Sequence, residues 1–303
     1  MSLETDQIVD RRRLKRRLGV WRLVAVLSVI AAGVVLASRF EGIPGRPYVA
    51  RLSVDGLIVD DSFRDQALAD VAEDDKVRAL IVEINSPGGT VVGGESLFRH
   101  LRKVAESKPV VAVMGELATS AGYMTALGAD RLFARSGTIT GSIGVILQTA
   151  DITGLLEKLG IKPEVVKSGP MKAQPNPFEP FSPQAREVAL SVVLDIHEMF
   201  IDMVTDRRGL SRGDVTPMAD GRIYTGRQAL ANGLIDALGG IGEARNWLDE
   251  KHSISATLPL KNVKIRGDED FFDKLVPESL GKMLFSERLR LDGLVSLWHP
   301  DLR

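Results

Sequence analysis

The chain has 303 residues, 44% hydrophobic and 26% charged, with a formal net charge of −1. That length and apolar content allow one large or two small domains around a buried core, and the balanced charge gives no electrostatic footprint for nucleic acid. There is no cysteine, and the four histidines (His100, His197, His252 and His299) are scattered. Thiolate chemistry, disulfides and Cys-ligated zinc are therefore excluded, and no metal or cofactor is expected.

A basic run, Arg11 to Arg17, precedes LVAVLSVIAAGVVLAS, sixteen uncharged residues from Leu23 to Ser38. With Gly19 to Trp21 included and Arg22 snorkelling, the segment approaches the ~20 residues that cross a bilayer. Positive charge on its N-terminal side, with Trp21 at the boundary, favours insertion with the N-terminus inside. Small residues around Val35-Leu36-Ala37 would suit signal cleavage, but the apolar stretch is long for that, and an uncleaved anchor is expected. The expected organisation is a cytoplasmic basic segment over 1–22, a transmembrane anchor over 23–39 and a Gly/Pro linker over 40–47. A catalytic domain over 48–250 and a C-terminal extension over 251–303 follow, both on the extracytoplasmic side of a bacterial inner membrane.

Beyond the linker, β-branched runs alternate with helical periods. YVARLSVDGLIV, RALIVEI, KPVVAVMG, DRLFA and PEVVKS read as strands, and DSFRDQALADVAEDD and GGESLFRHLRKVAES as helices. This alternation predicts α/β architecture. Ser182-Pro183 supplies an N-cap and first-turn proline for a long helix that Gly209 ends, with Val188, Val192, Ile196, Phe200 and Val204 forming its apolar stripe. After Trp247 the rhythm stops. FFDKLVPESLGKMLFSERLRLDGLVSLW has helical spacing and reads as a helical packing arm, with a subunit contact or a membrane-surface helix as alternatives.

Three short stretches carry possible chemistry. INSPGG, Ile84 to Gly89, follows a strand; Pro87 fixes its own φ, while Gly88 and Gly89 open backbone conformations closed to other residues. Such a turn can aim a backbone N–H at a carbonyl, although taken alone it is an ordinary turn. In ATSAGY, Ser120 follows the strand VVAVMG and opens a short helix. The N–H of Ala121, with that of Gly88, could hold an oxyanion; the plain alternative is a serine N-cap. No histidine is placed to activate Ser120, and His197 reads as a helix-face residue. An amine can be the base where desolvation or a nearby cation lowers its pKa from ~10.4. GPMKAQPNPFEPFSP offers Lys172 in an apolar, proline-rich loop, the alternative being a solvated loop lysine.

INSPGG, ATSAGY, TGSIGV, PMKAQPNPFEPFSP and ADGRIYTGRQALANGLIDALGG occur in this order, and together they resemble the signal peptide peptidase A family in its short, single-repeat form. The resemblance runs from about Tyr48 to Trp247. It implies a ClpP/crotonase-like α/β fold, a superhelix of repeated β-β-α units, preceded here by the transmembrane helix. It also implies a serine endopeptidase with Ser120 as nucleophile, Lys172 as general base, Ser142 of TGSIGV orienting the lysine, and Gly88 with Ala121 as the oxyanion hole. The family more often has Ser-Gly-Gly where this chain has Ser120-Ala121-Gly122. In related short forms the serine and lysine come from adjacent protomers of a homo-oligomeric ring. Substrates would be released signal peptides, accepted by strand addition near Gly88 to Val92.

ClpP shares the INSPGG-like turn but needs a histidine, and SIGVILQ stands where it would be expected; a crotonase-like acyl-CoA enzyme needs no nucleophilic serine. The anchor and the lysine loop argue against both. An inactive, membrane-tethered assembly module is the rival of a different class. In GRIYTGRQALANGLID, Tyr224, Ala229 and Leu234 read as core residues and Gly233 as the end of a helix begun at Thr225.

Overall fold

The computed structural model describes residues 21–29, residues 46–265 and the strand Leu294–Leu297. The chain divides into two units, Met1–Arg46 and Pro47–Arg303. In the first, residues 21–29 are helical. Among the described residues no helix is long and apolar enough to cross a membrane; most of the segment expected to be an anchor, 23–39, lies outside them.

The second unit is α/β. Strand β1 (Tyr48–Ile58), helix α1 (Ser62–Glu73), β2 (Val77–Thr90), α2 (Val91–Ala105), β3 (Val110–Thr119), α3 (Ala121–Ala126) and β4 (Arg131–Ala134) follow in order. Strands β1 to β4 pair in parallel, β2 lying between β1 and β3. β2 is sequestered on both faces. Leu80, Val82 and Ile84 join Leu97, Leu101 and Met124 in the larger core. Ala79 and Ile81 join Val111, Phe133, Ala244 and Leu248 in the smaller one. Coverage on both faces explains why the strand is nearly continuously apolar rather than alternating.

β3 changes partner along its length. Val111 to Met114 pair with β4, and Leu117 to Thr119 pair with β5 (Ile139–Gly141). Thr138 Oγ1 donates to Gly115 O at 2.6 Å at the crossover. The short strand β6 (Ile146–Leu147) and helix α4 (Thr153–Lys158) lead to an irregular loop. PEVVKS forms no strand there: Val165 and Val166 stand exposed with no neighbouring strand to satisfy them.

Helix α5 (Pro183–Arg208) starts where expected, with Ser182 Oγ accepting from Ala185 N at 3.2 Å, and stops at Gly209 with φ 62°. Its stripe is divided: Phe200 and Val204 are buried, whereas Val188 and Val192 are exposed. The short helix α6 (Arg212–Val215) and strand β7 (Ile223–Thr225) come next. Thr225 then caps α7 (Gly226–Ala231) in a reciprocal box with Gln228, and Gly233 follows the helix end at φ 75°. Tyr224, Ala229 and Leu234 are buried. The fold continues through β8 (Ala237–Leu238), α8 (Ile241–His252), β9 (Leu260–Asn262) and β10 (Leu294–Leu297). The last two revise the helical expectation for the C-terminal extension. In particular, LVSL pairs as a strand because two edges with free backbone groups meet it, which outweighs its helical spacing.

A buried polar network ties α5 to the sheet. Arg208 forks onto both oxygens of Asp236 at 2.8 and 3.1 Å, and Asp236 accepts from Leu132 N at 2.7 Å. Tyr123, fully buried on α3, donates its hydroxyl to Leu234 O at 2.7 Å, and burial raises its phenol pKa so that it stays a donor. Tyr123→Phe leaves that carbonyl without its donor and is expected to cost about 1–2 kcal/mol, read as a lower urea midpoint at unchanged slope.

Candidate active site

Three strands, β2, β3 and β5, deliver the sequence-flagged groups at their C-terminal ends, the customary ligand-binding edge of a parallel sheet. INSPGG is not a turn but the end of β2, which runs on to Thr90 through irregularities in its pairing with β1 and β3. Gly88 has φ 119°, closed to side-chain-bearing residues. At Gly89 a Cβ would lie 1.8 Å from Ile58 O, so the backbones of β1 and β2 can touch only through glycine. Gly89→Ala must part these strands. A loss of about 3 kcal/mol or more is expected, measured by urea unfolding.

Ser120 sits between β3 and α3, 1% exposed, with φ 58° and ψ −120°. These angles match the first central position of a type II′ turn, which glycine normally holds. A serine held there stores roughly 1–3 kcal/mol of strain. The conformation is fixed from both sides: Ser120 N donates to Gly141 O at 2.8 Å, and Ser120 O accepts from Met124 N at 2.9 Å. Its side chain makes no capping bond to α3, so the plain N-cap reading does not describe it. A strained serine on a strand-to-helix turn is the geometry that presents a nucleophile. Positive φ falls on Ser120 and not on Ala121, which opens α3, so alanine follows the serine without backbone strain.

Thr119 Oγ1 donates to Pro87 O at 3.0 Å and thereby fastens the glycine segment beside the serine. Ser86, fully buried, accepts from Gly88 N at 3.1 Å and donates to Gly88 O at 3.2 Å. The N–H assigned to an oxyanion hole is therefore held by a neighbouring hydroxyl. Sequence reading passed over Ser86 and Thr119; the signal available was a serine two residues before a glycine, a hydroxyl-closed turn pattern.

Ser142 follows Gly141 directly and is buried, with φ 51°. Its N–H donates to Arg222 O at 2.8 Å, beside the antiparallel pairing of β5 with β7. Since Thr119 pairs with Gly141, the two serines extend adjacent strand ends.

Lys172 lies on a solvent-exposed turn, its N–H donating to Gly169 O at 3.1 Å. The loop around it is closed on itself. Lys167 pairs with Glu179, Gln174 donates to Glu179 at 2.6 Å, Asn176 donates to Ala173 O at 2.8 Å, and Ile152 N donates to Pro177 O at 3.0 Å. The Lys167 partnership holds the Glu179 carboxyl below its ordinary pKa. One chain thus presents the serine buried and the lysine in solvent. The histidine at 197 hydrogen-bonds Ala219 O at 2.7 Å on the α5 face, as its position suggested. Among the described residues no cluster of three metal-ligating side chains occurs.

Comparison with known proteins adds an independent line. The family model for peptidase family S49 matches residues 102–255. A Synechocystis sp. protein that carries a protease name is 40% identical over 204 residues, 67% of this chain and 73% of that one. The chloroplastic serine protease SPPA of Arabidopsis thaliana is 33% identical over 62% of this chain, and protease 4 of Haemophilus influenzae is 30% identical over 67%. The match spans only 28% and 34% of those two longer proteins. Among solved structures, a ClpP1 mutant of Listeria monocytogenes aligns over 63% of this chain and 91% of its own, at 16% identity and a TM-score of 0.42. Both the family model and the Synechocystis relative cover the serine, the lysine loop and the β7–α7 motif, and on that footing the chain belongs to peptidase family S49, the family of the signal peptide peptidase A proteases.

Proposed function

We propose that this protein is a membrane-anchored serine endopeptidase that degrades signal peptides after their release from preproteins. The observation that carries the reading is Ser120 in a glycine-type conformation, buried at the end of β3 beside the Gly88 segment.

In this mechanism the Lys172 amine takes the Ser120 proton and the alkoxide attacks a peptide carbonyl. The N–H groups of Gly88 and Ala121 hold the oxyanion; Gly88 must exchange its bond to Ser86 Oγ for one to the intermediate. The lysine then protonates the leaving amine, and water releases the acyl group from the serine. Ser142 orients the lysine.

The contrast between buried Ser120 and exposed Lys172 supports a dyad shared between adjacent protomers of a ring. Exposed apolar side chains on both sides of the lysine loop favour such a neighbour: Leu159, Val165 and Val166 before it, and Val188, Val192 and Leu194 on α5 after it. The N-terminal segment would anchor the ring in the bacterial inner membrane, N-terminus inside, with the catalytic domain on the extracytoplasmic side where released signal peptides accumulate.

The test is covalent. A peptidyl phosphonate incubated with the full chain in detergent should add one adduct mass to a peptide containing Ser120. Absence of labelling at Ser120 under conditions that label a reference serine protease would favour the inactive assembly module instead.

A further inference from the structure

The strand β10 lies against the site. It pairs antiparallel with β2, Val295 opposite Thr90, Ser296 opposite Gly89 and Leu297 opposite Gly88. On its other edge it pairs antiparallel with β6, Leu294 opposite Leu147 and Val295 opposite Ile146. LVSL therefore fills a slot whose two walls are backbone.

The register fixes where the slot leads. Along β2, β1 holds one edge throughout, pairing with Asn85 as well as with Gly88 and Gly89. The opposite edge belongs to β3 as far as Ser86, which pairs with Ala118, and to β10 from Gly88 onward. β10 thus takes the edge of β2 that β3 leaves when its chain turns at Ser120. Because β10 runs antiparallel to β2, its C-terminal residue, Leu297, is the one closest in register to the end of β3. Four residues approach a nucleophile N-to-C, hydrogen-bonding on both edges, with the last opposite Gly88. That is the direction and pairing of the acyl half of a peptide substrate.

We infer that residues 294–297 are a built-in occupant of the substrate groove, a substrate-like strand that must leave before a peptide can enter. The identification of the groove rests on the peptidase reading; the occupancy does not. The occupant is chemically apt, since LVSL resembles the apolar peptides proposed as substrates. The 266–293 segment can reach up to roughly 3.3 Å per residue, ample for the strand to be supplied in cis or by a neighbouring protomer. A tethered strand acts at an effective concentration near millimolar and so raises the apparent Kd or KM of a competing peptide without touching the chemistry.

The experiment uses the full chain in detergent, in a Ser120→Ala background so that nothing is cleaved. Binding of a fluorescein-labelled Leu-Val-Ser-Leu peptide is followed by anisotropy, with and without Val295→Pro. Proline removes an N–H and obstructs the pairing. Tighter binding by about threefold or more in the proline variant is expected, together with faster hydrogen exchange at Gly89 and Thr90. Ser296→Pro, which removes the N–H directed to the opposite edge, should act alike and covers the case in which Val295→Pro does not fold. Equal affinity in all folded forms, or unprotected amides at 294–297 in the parent, overturns the inference. Should the protein prove unable to hydrolyse peptides, these binding and exchange readouts still decide the occupancy, whereas phosphonate labelling decides the chemistry.

Discussion

Replacing Ser120 with alanine is expected to lower peptide hydrolysis by roughly 10⁴-fold or more, since removal of a serine nucleophile collapses the whole acyl-transfer route. The side chain is small and buried and the backbone is held by Gly141 O and Met124 N, so the fold should survive. A companion variant separates chemistry from structure. Ser120→Gly also loses the nucleophile, but it relieves the φ 58°, ψ −120° conformation and should stabilise the protein by about 1 kcal/mol. Fluorogenic peptide turnover and urea melts on the two variants provide the check. Turnover within tenfold of the parent for either would remove Ser120 from the mechanism; a destabilised glycine variant would show that the strain is not there to be relieved.

The second large effect concerns the base. Lys172→Ala is expected to fall to background, and so is Ser120→Ala, yet co-expression of the two chains should restore activity. If each site takes its serine from one protomer and its lysine from the next, random equal mixing leaves about one quarter of the sites complete. A dyad closed within one chain predicts none. The structure gives the reason to expect sharing: Ser120 is 1% exposed, and the lysine loop is tied to itself through Glu179, Asn176 and Pro177 rather than folded over the serine. Copurification of the differently tagged chains establishes that they have mixed. Mixed rings without activity would then place both groups in one chain, and full activity of Lys172→Ala alone would assign the proton to another acceptor.

Much of the fold was legible because it is local. β1 to β4 announce themselves through β-branched runs, and α1 and α2 through three-to-four spacing. α5 is bounded by Ser182, Pro183 and Gly209, residues whose own side chains or φ preferences start and stop a helix. The motif order was also legible, and with it the nomination of Ser120, Ser142, Lys172 and the glycine segment. Residue type and spacing, however, carry no information about what lies across the sheet. INSPGG reads as a turn until β1 and β3 flank it and draw it into β2. PEVVKS and LVSL have comparable β-forming content; one stays irregular for want of a neighbouring strand, and the other pairs on both edges. The exposed half of the α5 stripe and the hydroxyl of Ser86 on Gly88 N likewise belong to packing. The sequence by itself therefore determined which elements form and which residues are chemically capable. Only the tertiary structure decided which strand ends meet at Ser120 and which segment fills the groove, because strand pairing is a long-range contact whose hydrogen bonds any backbone can supply.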